Sequence, residues 1–239
     1  MQGIRLGYST GCWRELQQQQ AIIPRFLFVT LLFFCFSKIA SGQDKIELKN
    51  PSFEDKARMG LRYSPDINGW NDCGLKRFPD ESPPDILPTE NHAWGVDVQA
   101  IDGNTYLGLV VRDEDSWEYV SQGLKTSLDP SKCYTLEAFL CHSNKFDSRT
   151  RSSEQPVSYA NPAVLLIWGG SSPCKKESLL ASSPPIENID WQRYTFTFQP
   201  DGSYKHIILE AYYVTNDSVP YNGHILVDGL SPIVEVECK

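Results

Sequence analysis

Nowhere in these 239 residues does an uninterrupted apolar run approach the roughly 20 residues that a bilayer span requires. The greasiest stretch, Phe26 to Phe36, is short, follows Arg25, and leads into the small residues Ala40, Ser41 and Gly42. A basic flank, an apolar core and a small-residue exit make residues 1–42 a secretory leader and leave 43–239 as one domain, placed outside the cytoplasm in a periplasm or on a cell surface. Met1 to Gln20, with four glutamines in a row, lie upstream of the leader and fit a start codon assigned too early. Cations are in short supply. Lys and Arg number 22 against 30 Asp and Glu, a net charge of −8, and the leader takes four of the cations and one anion with it, so the remainder carries −11. Such a chain repels nucleic acid and anionic lipid surfaces.

Catalytic signatures are also missing. There is no HExxH, no GxSxG, no P-loop and no nucleotide-binding glycine fingerprint. Gly169 to Ser172 form a turn after a strand, without the helix that a phosphate site needs behind it. Four histidines, His92, His142, His206 and His224, are scattered without metal spacing. No CxxC pair exists, so the cysteines do not read as a zinc site. Of seven cysteines, Cys12 and Cys35 leave with the leader. Cys73, Cys133, Cys141, Cys174 and Cys238 remain, an odd number that predicts two bridges and one free thiol in an exported protein. Their spacing does not reveal the partners. Cys133 and Cys141 bracket a single strand and are too far apart to bridge each other.

What the chain does have is period-two alternation. Leu107, Leu109 and Val111 fall on one face, and Tyr106, Val110 and Arg112 on the other. Tyr134, Leu136, Ala138 and Leu140 alternate with Thr135, Glu137 and Phe139. Tyr194, Phe196 and Phe198 point inward from 191–199. Ile207, Leu209 and Ala211 point inward from 205–213, with Glu210 and Tyr212 opposite. Ala163 to Trp168 read as a nearly continuous apolar strand stopped by Gly169 and Gly170, and Lys175 to Ser182 as a stretch able to form one helical turn. Prolines between Ser64 and Pro88 predict an ordered loop, not sheet. Ser143 to Pro162 read as a long loop. About nine strands with Gly, Pro and Asp turns and no convincing helix predict an all-β fold, a jelly-roll β-sandwich of two antiparallel sheets.

Several segments, in order, resemble the jelly-roll carbohydrate-binding modules of bacterial cellulases and xylanases, the CenC-like group. Asn50-Pro-Ser-Phe-Glu54 followed by Gly69-Trp70 resembles the opening strand. Leu109-Val-Val-Arg112, Trp117 and Gln122-Gly-Leu124 resemble the strand-turn-strand before Cys133-Tyr-Thr-Leu-Glu-Ala-Phe-Leu140. Trp191-Gln-Arg-Tyr-Thr-Phe-Thr-Phe198 and Ile225-Leu-Val-Asp228 resemble the last strands. The resemblance implies a galactose-binding-like sandwich, and a structural Ca²⁺ tying the first strand to the last through Glu54 and Asp228.

The candidate ligand residues are those on faces opposite the inferred core. Trp117, Tyr119, Phe139, Trp168 and Tyr212 offer flat apolar surface for sugar rings, Glu137 and Glu210 accept from hydroxyls, and Arg112 donates. The first expectation is a non-catalytic module that binds a polysaccharide or surface glycan. The second is an adhesive domain that holds a surface protein partner. The third, a polysaccharide-degrading enzyme, requires Glu137 and Glu210 to face each other across a groove. Fold alone does not separate them.

Overall fold

The computed structural model describes residues 44–60, 66–74, 83–150, 153, 155–214 and 219–238; the expected leader lies outside them. The described chain forms β1 (Lys45–Ile46), β2 (Asn71–Asp72), β3 (Asp85–Leu87), β4 (Tyr106–Arg112), β5 (Ser116–Trp117), β6 (Tyr119–Gly123), β7 (Cys133–Cys141), β8 (Asp147–Ser148), β9 (Val157–Ser158), β10 (Asn161–Pro162), β11 (Val164–Gly170), β12 (Ser178–Ser182), β13 (Gln192–Phe198), β14 (His206–Tyr212), β15 (Gly223–Asp228) and β16 (Ile233–Val236). The only helical element among these residues is a 3₁₀ turn at Ala93–Gly95.

The strands build the two-sheet sandwich that the alternation predicts. The first sheet runs β1-β16-β7-β15-β4-β3, with β13 on the far side of β7, β5 beside β4 and β10 beside β15. The second runs β12-β11-β14-β6-β2. Pairing is antiparallel except between β10 and β15. Period-two parity decides what lies between the sheets. Leu107, Leu109, Leu136, Ala138, Leu140, Ile225 and Val227 from the first sheet meet Leu165, Ile167, Ile207, Leu209 and Ala211 from the second, all fully buried. Each large side chain there contributes about 1.5–3 kcal/mol.

Four local expectations change, the first being that the stretch read as a loop from Ser143 to Pro162 contains the short strands β8, β9 and β10. β11 continues through Gly169 and Gly170 instead of stopping at them. Those glycines answer a packing need: a Cβ on Gly170 would stand 2.1 Å from the Lys175 carbonyl oxygen, and one on Gly169 would stand 2.5 Å from the Tyr204 ring. Lys175 to Ser182 form no helical turn, because Ser178–Ser182 is captured as an edge strand by β11. The proline-rich stretch yields the short strands β2 and β3, each held by a longer neighbour. The cysteines do as counted: Cys73 bridges Cys174, Cys133 bridges Cys238, and Cys141 is a buried free thiol.

The outer face of the first sheet is covered over β3, β4 and β15. Leu87, Tyr106, Val110, Cys141 and Leu226 form a second apolar cluster with Val96, Phe146 and Tyr159 from the loops that cover it. His224 is buried in this layer. Its Nε2 accepts from the Ser143 N–H at 2.8 Å, so Nδ1 carries the proton and donates to the Tyr159 carbonyl at 2.7 Å. Burial, with the His142 ring 6.0 Å away, pushes its pKa down to about 4. A depressed histidine contributes stability that is present above its unfolded value near 6.5 and is lost as pH falls toward 4. Replacing His224 with Gln is expected to narrow the stability gap to wild type by roughly 3 kcal/mol between pH 7 and pH 4. Urea titrations at the two pH values measure this, and an unchanged gap would show that His224 does not drive acid unfolding.

Candidate functional site

The chain changes sheets at Glu118. Its N–H donates to Val110 of the first sheet, and its carbonyl accepts from Ala211 of the second. Alternation around this crossing sends Trp117 and Tyr119 one way and the Glu118 carboxyl the other. Two polar centres follow, one on the outer face of each sheet.

On the second sheet, Trp117, Tyr119, Trp168 and Tyr212 surround Glu210. All four rings are half-buried, while Glu210 is 1 % exposed. The Glu210 carboxylate accepts the indole N–H of Trp117 on Oε1 and that of Trp168 on Oε2, the latter at 2.6 Å. Its counter-charge is Lys176, whose Nζ donates to Oε1. The ammonium lies 4.4 Å from the Tyr119 ring centre, 5.5 Å from that of Trp117 and 5.9 Å from that of Trp168. Trp117 and Tyr212 meet edge to face at 4.8 Å and 84°, so the rings form a faceted cup, not a coplanar row. Lys176 stands on the loop between β11 and β12. That loop is pinned by the Cys73–Cys174 bridge, by the Cys174 N–H on Ser121 Oγ at 3.1 Å, and by the Glu177 N–H on the Gly169 carbonyl at 3.0 Å.

Five of the eight expected ligand residues therefore share one face: Trp117, Tyr119, Trp168, Glu210 and Tyr212. Arg112, Glu137 and Phe139 belong to the outer face of the first sheet. Glu137 projects there from β7, 3.7 Å from Arg193, so it does not face Glu210 across a groove. Phe139 lies against the turn at Gly229, where a Cβ would come within 3.0 Å of its ring.

Arg112 is buried in a small cleft with Glu118, Asp85, Trp94, Phe146 and Tyr159, whose space, open mouth included, is about 280 Å³. Its guanidinium pairs with Glu118, and the Val110 N–H donates to the same carboxylate at 3.1 Å. Burial pushes the Glu118 carboxyl up, against the pull of Arg112. Asp85 accepts from the Gly60 N–H at 2.7 Å and the Trp94 indole at 3.1 Å, and burial lifts it to about 6. Beside them His92 and Trp94 hold left-handed backbone, φ 48° and 60°, a strained arrangement for non-glycine residues.

Glu54 and Asp228, the expected calcium ligands, converge on the 101–105 loop. Glu54 Oε1 accepts from the N–H groups of Asn104 and Thr105 at 2.7 and 2.9 Å. Burial works to raise its pKa, but these donors together hold it below the ordinary carboxylate value. Asp228 Oδ2 accepts from Ile101 and Asp102, at 2.9 and 3.0 Å, and burial pushes this carboxyl up to about 6. The hydroxyl of Ser52 donates to Asp102 alongside. Among the described residues no group of three or more His, Cys, Asp and Glu side chains is gathered as a metal cage.

Sequence reasoning missed Lys176, Asp85, Trp94 and Glu118. Parity offered a signal for Glu118, which sits between two residues assigned outward. Lys176 and Asp85 lie in a loop and a proline-rich segment, where no periodicity reports direction.

No family model and no curated protein matches this chain. Solved structures do. A Stig cyclase, Fisc from Fischerella sp. TAU, solved in complex with an indole compound, is 18 % identical over 82 % of this chain and 100 % of its own, with a TM-score of 0.50. The xylan-binding CBM22-1 domain of Paenibacillus barcinonensis Xyn10C is 12 % identical over 75 % of this chain and 94 % of its own, with a TM-score of 0.40. A CBM4 structure is 11 % identical over 69 % and 94 %, with a TM-score of 0.37. At such identities the likeness concerns the fold alone. The chain is an all-β sandwich, and no helix among its described residues is long and apolar enough to cross a membrane.

Proposed function

We propose that this chain is an exported, non-catalytic module that binds a polysaccharide or surface glycan on the outer face of its second sheet. The observation that carries the reading is the gathering of Trp117, Tyr119, Trp168 and Tyr212, half-buried, around one fixed charge pair. Sugar rings stack on such surfaces, and rings already locked by their neighbours lose little freedom on binding. Two disulfides support export. A glycan array of plant, algal and bacterial polysaccharides tests the reading. Tyr119→Ala is expected to weaken the strongest hit by about tenfold, one stacking contact being worth roughly 0.5–1.5 kcal/mol beyond burial. Silence across the array would leave a surface protein partner as the occupant of this face.

Calcium is part of the same proposal. Glu54, Asp228, Asp102 and Ser52 supply hard oxygens of the kind calcium takes, each in or beside the 101–105 loop, where the first segment meets the end of β15. An ion held there would clip the two chain ends. Melting with and without a chelator decides it: a lower midpoint is expected, and an unchanged one retires the metal.

A further inference from the structure

Resting on the glycan reading, we propose that the sugar taken by this face is anionic, its carboxylate or sulfate read by the Lys176 ammonium. Glu210, by its place on β14, reads as an acceptor for sugar hydroxyls, but the structure buries it among the rings of the outer face. It is 1 % exposed, and both oxygens are engaged, Oε1 by Trp117 and Lys176, Oε2 by Trp168. It therefore anchors the cup and does not reach a ligand.

The polar group left at the surface has the opposite sign. The Lys176 side chain is 25 % exposed, and its ammonium carries three donors, of which Glu210 takes one. The aromatic faces around it attract the charge without using its N–H groups as carbonyls or carboxylates would. An ammonium so placed, over the faces of the rings beside which a sugar would lie, is matched by an acceptor-rich, negatively charged substituent. A neutral diol is better served by a bidentate group such as a carboxylate or guanidinium, and this face offers none of either that is exposed among the ring residues.

The position of Lys176 is built, not incidental. Gly170 lets the Lys175 backbone approach β11, where a Cβ would stand 2.1 Å from the Lys175 carbonyl oxygen. The Cys73–Cys174 bridge and the Cys174 N–H on Ser121 hold the same loop from the other side. The overall charge of −8 sharpens the inference. Long-range repulsion works against indiscriminate binding of polyanions, so capture of one requires a local cation, and screening beyond about 8 Å leaves that local contact in command at physiological salt.

The test uses three oligosaccharides of one sugar configuration: a neutral galactan, a galacturonan and a sulfated galactan, titrated calorimetrically into the full chain. The wild type is expected to bind one or both anionic forms at least about tenfold more tightly than the neutral one. The two anionic arms tell uronate from sulfate. That preference should shrink as salt rises from about 0.05 to about 0.5 M. Lys176→Met combined with Glu210→Gln removes both charges together. It should bring the anionic-to-neutral ratio close to one, while Lys176→Arg should keep it high. Near-ultraviolet circular dichroism checks that each variant is folded, and the salt series on wild type stands if one is not. Neutral galactan bound as tightly as the anionic forms would overturn the proposal and leave the glycan reading standing. An anionic preference that survives the double substitution, or that ignores salt, would also overturn it. No binding in any arm, together with a silent array, would end both.

Discussion

Glu118→Leu is expected to cost about 3–5 kcal/mol of folding stability, among the largest effects of any single substitution here. Arg112 and Glu118 are 5 % and 2 % exposed, and the guanidinium keeps its proton at every working pH. With the carboxyl gone, a buried cation loses its main acceptor and the Val110 N–H loses its side-chain acceptor. The cost comes from stranding the partner, not from the pair's own worth. Consequently Arg112→Met added to Glu118→Leu should recover most of the loss, since an apolar pair of similar volume carries no stranded charge. Urea denaturation of the wild type, the single and the double variants measures this. A double variant as unstable as the single would mean that the cleft depends on the charges for its shape.

Opening the two disulfides is the second large perturbation. Cys73–Cys174 and Cys133–Cys238 close loops of 101 and 105 residues in sequence separation, and removing either is expected to cost roughly 2–5 kcal/mol. Their functional consequences differ. Cys133–Cys238 joins the start of β7 to the segment after β16, far from Lys176 in the chain, so Cys133→Ser with Cys238→Ser should lower stability and leave glycan affinity within about twofold at temperatures where the variant is folded. Cys73–Cys174 pins the loop that carries Lys176, so Cys73→Ser with Cys174→Ser should lower both. Equal binding losses in the two variants would show that the loop is held by its hydrogen bonds and by β12 instead.

Much of the architecture was legible because β-strand parity is a local property. Leu136, Ala138 and Leu140 needed nothing beyond their neighbours to be assigned inward, and all three are fully buried. The same parity marked Trp168, Glu210 and Tyr212 as a set, and the pairing of β11 with β14 brings their strands side by side. Parity failed at a different question. It divides a strand into two faces without naming the sheet, so Glu137 and Glu210 look equivalent in sequence yet stand on opposite outer faces. Nor does it tell an open face from a covered one. Tyr106, Val110 and Arg112 alternate correctly and are still buried, because Trp94, Val96, Phe146, Val157 and Tyr159 close over them.

Composition and alternation were therefore enough to set the all-β class, the inward set of side chains, and the tally of two bridges and one thiol, since each depends on residues near one another or on simple counting. Which cysteines pair, which acids are stranded under loops, and that Glu210 meets Lys176 depend on segments brought together from far apart in the chain. Burial and hydrogen-bond supply at those meetings decide whether a carboxylate serves a ligand or an internal cation, and no local pattern encodes them.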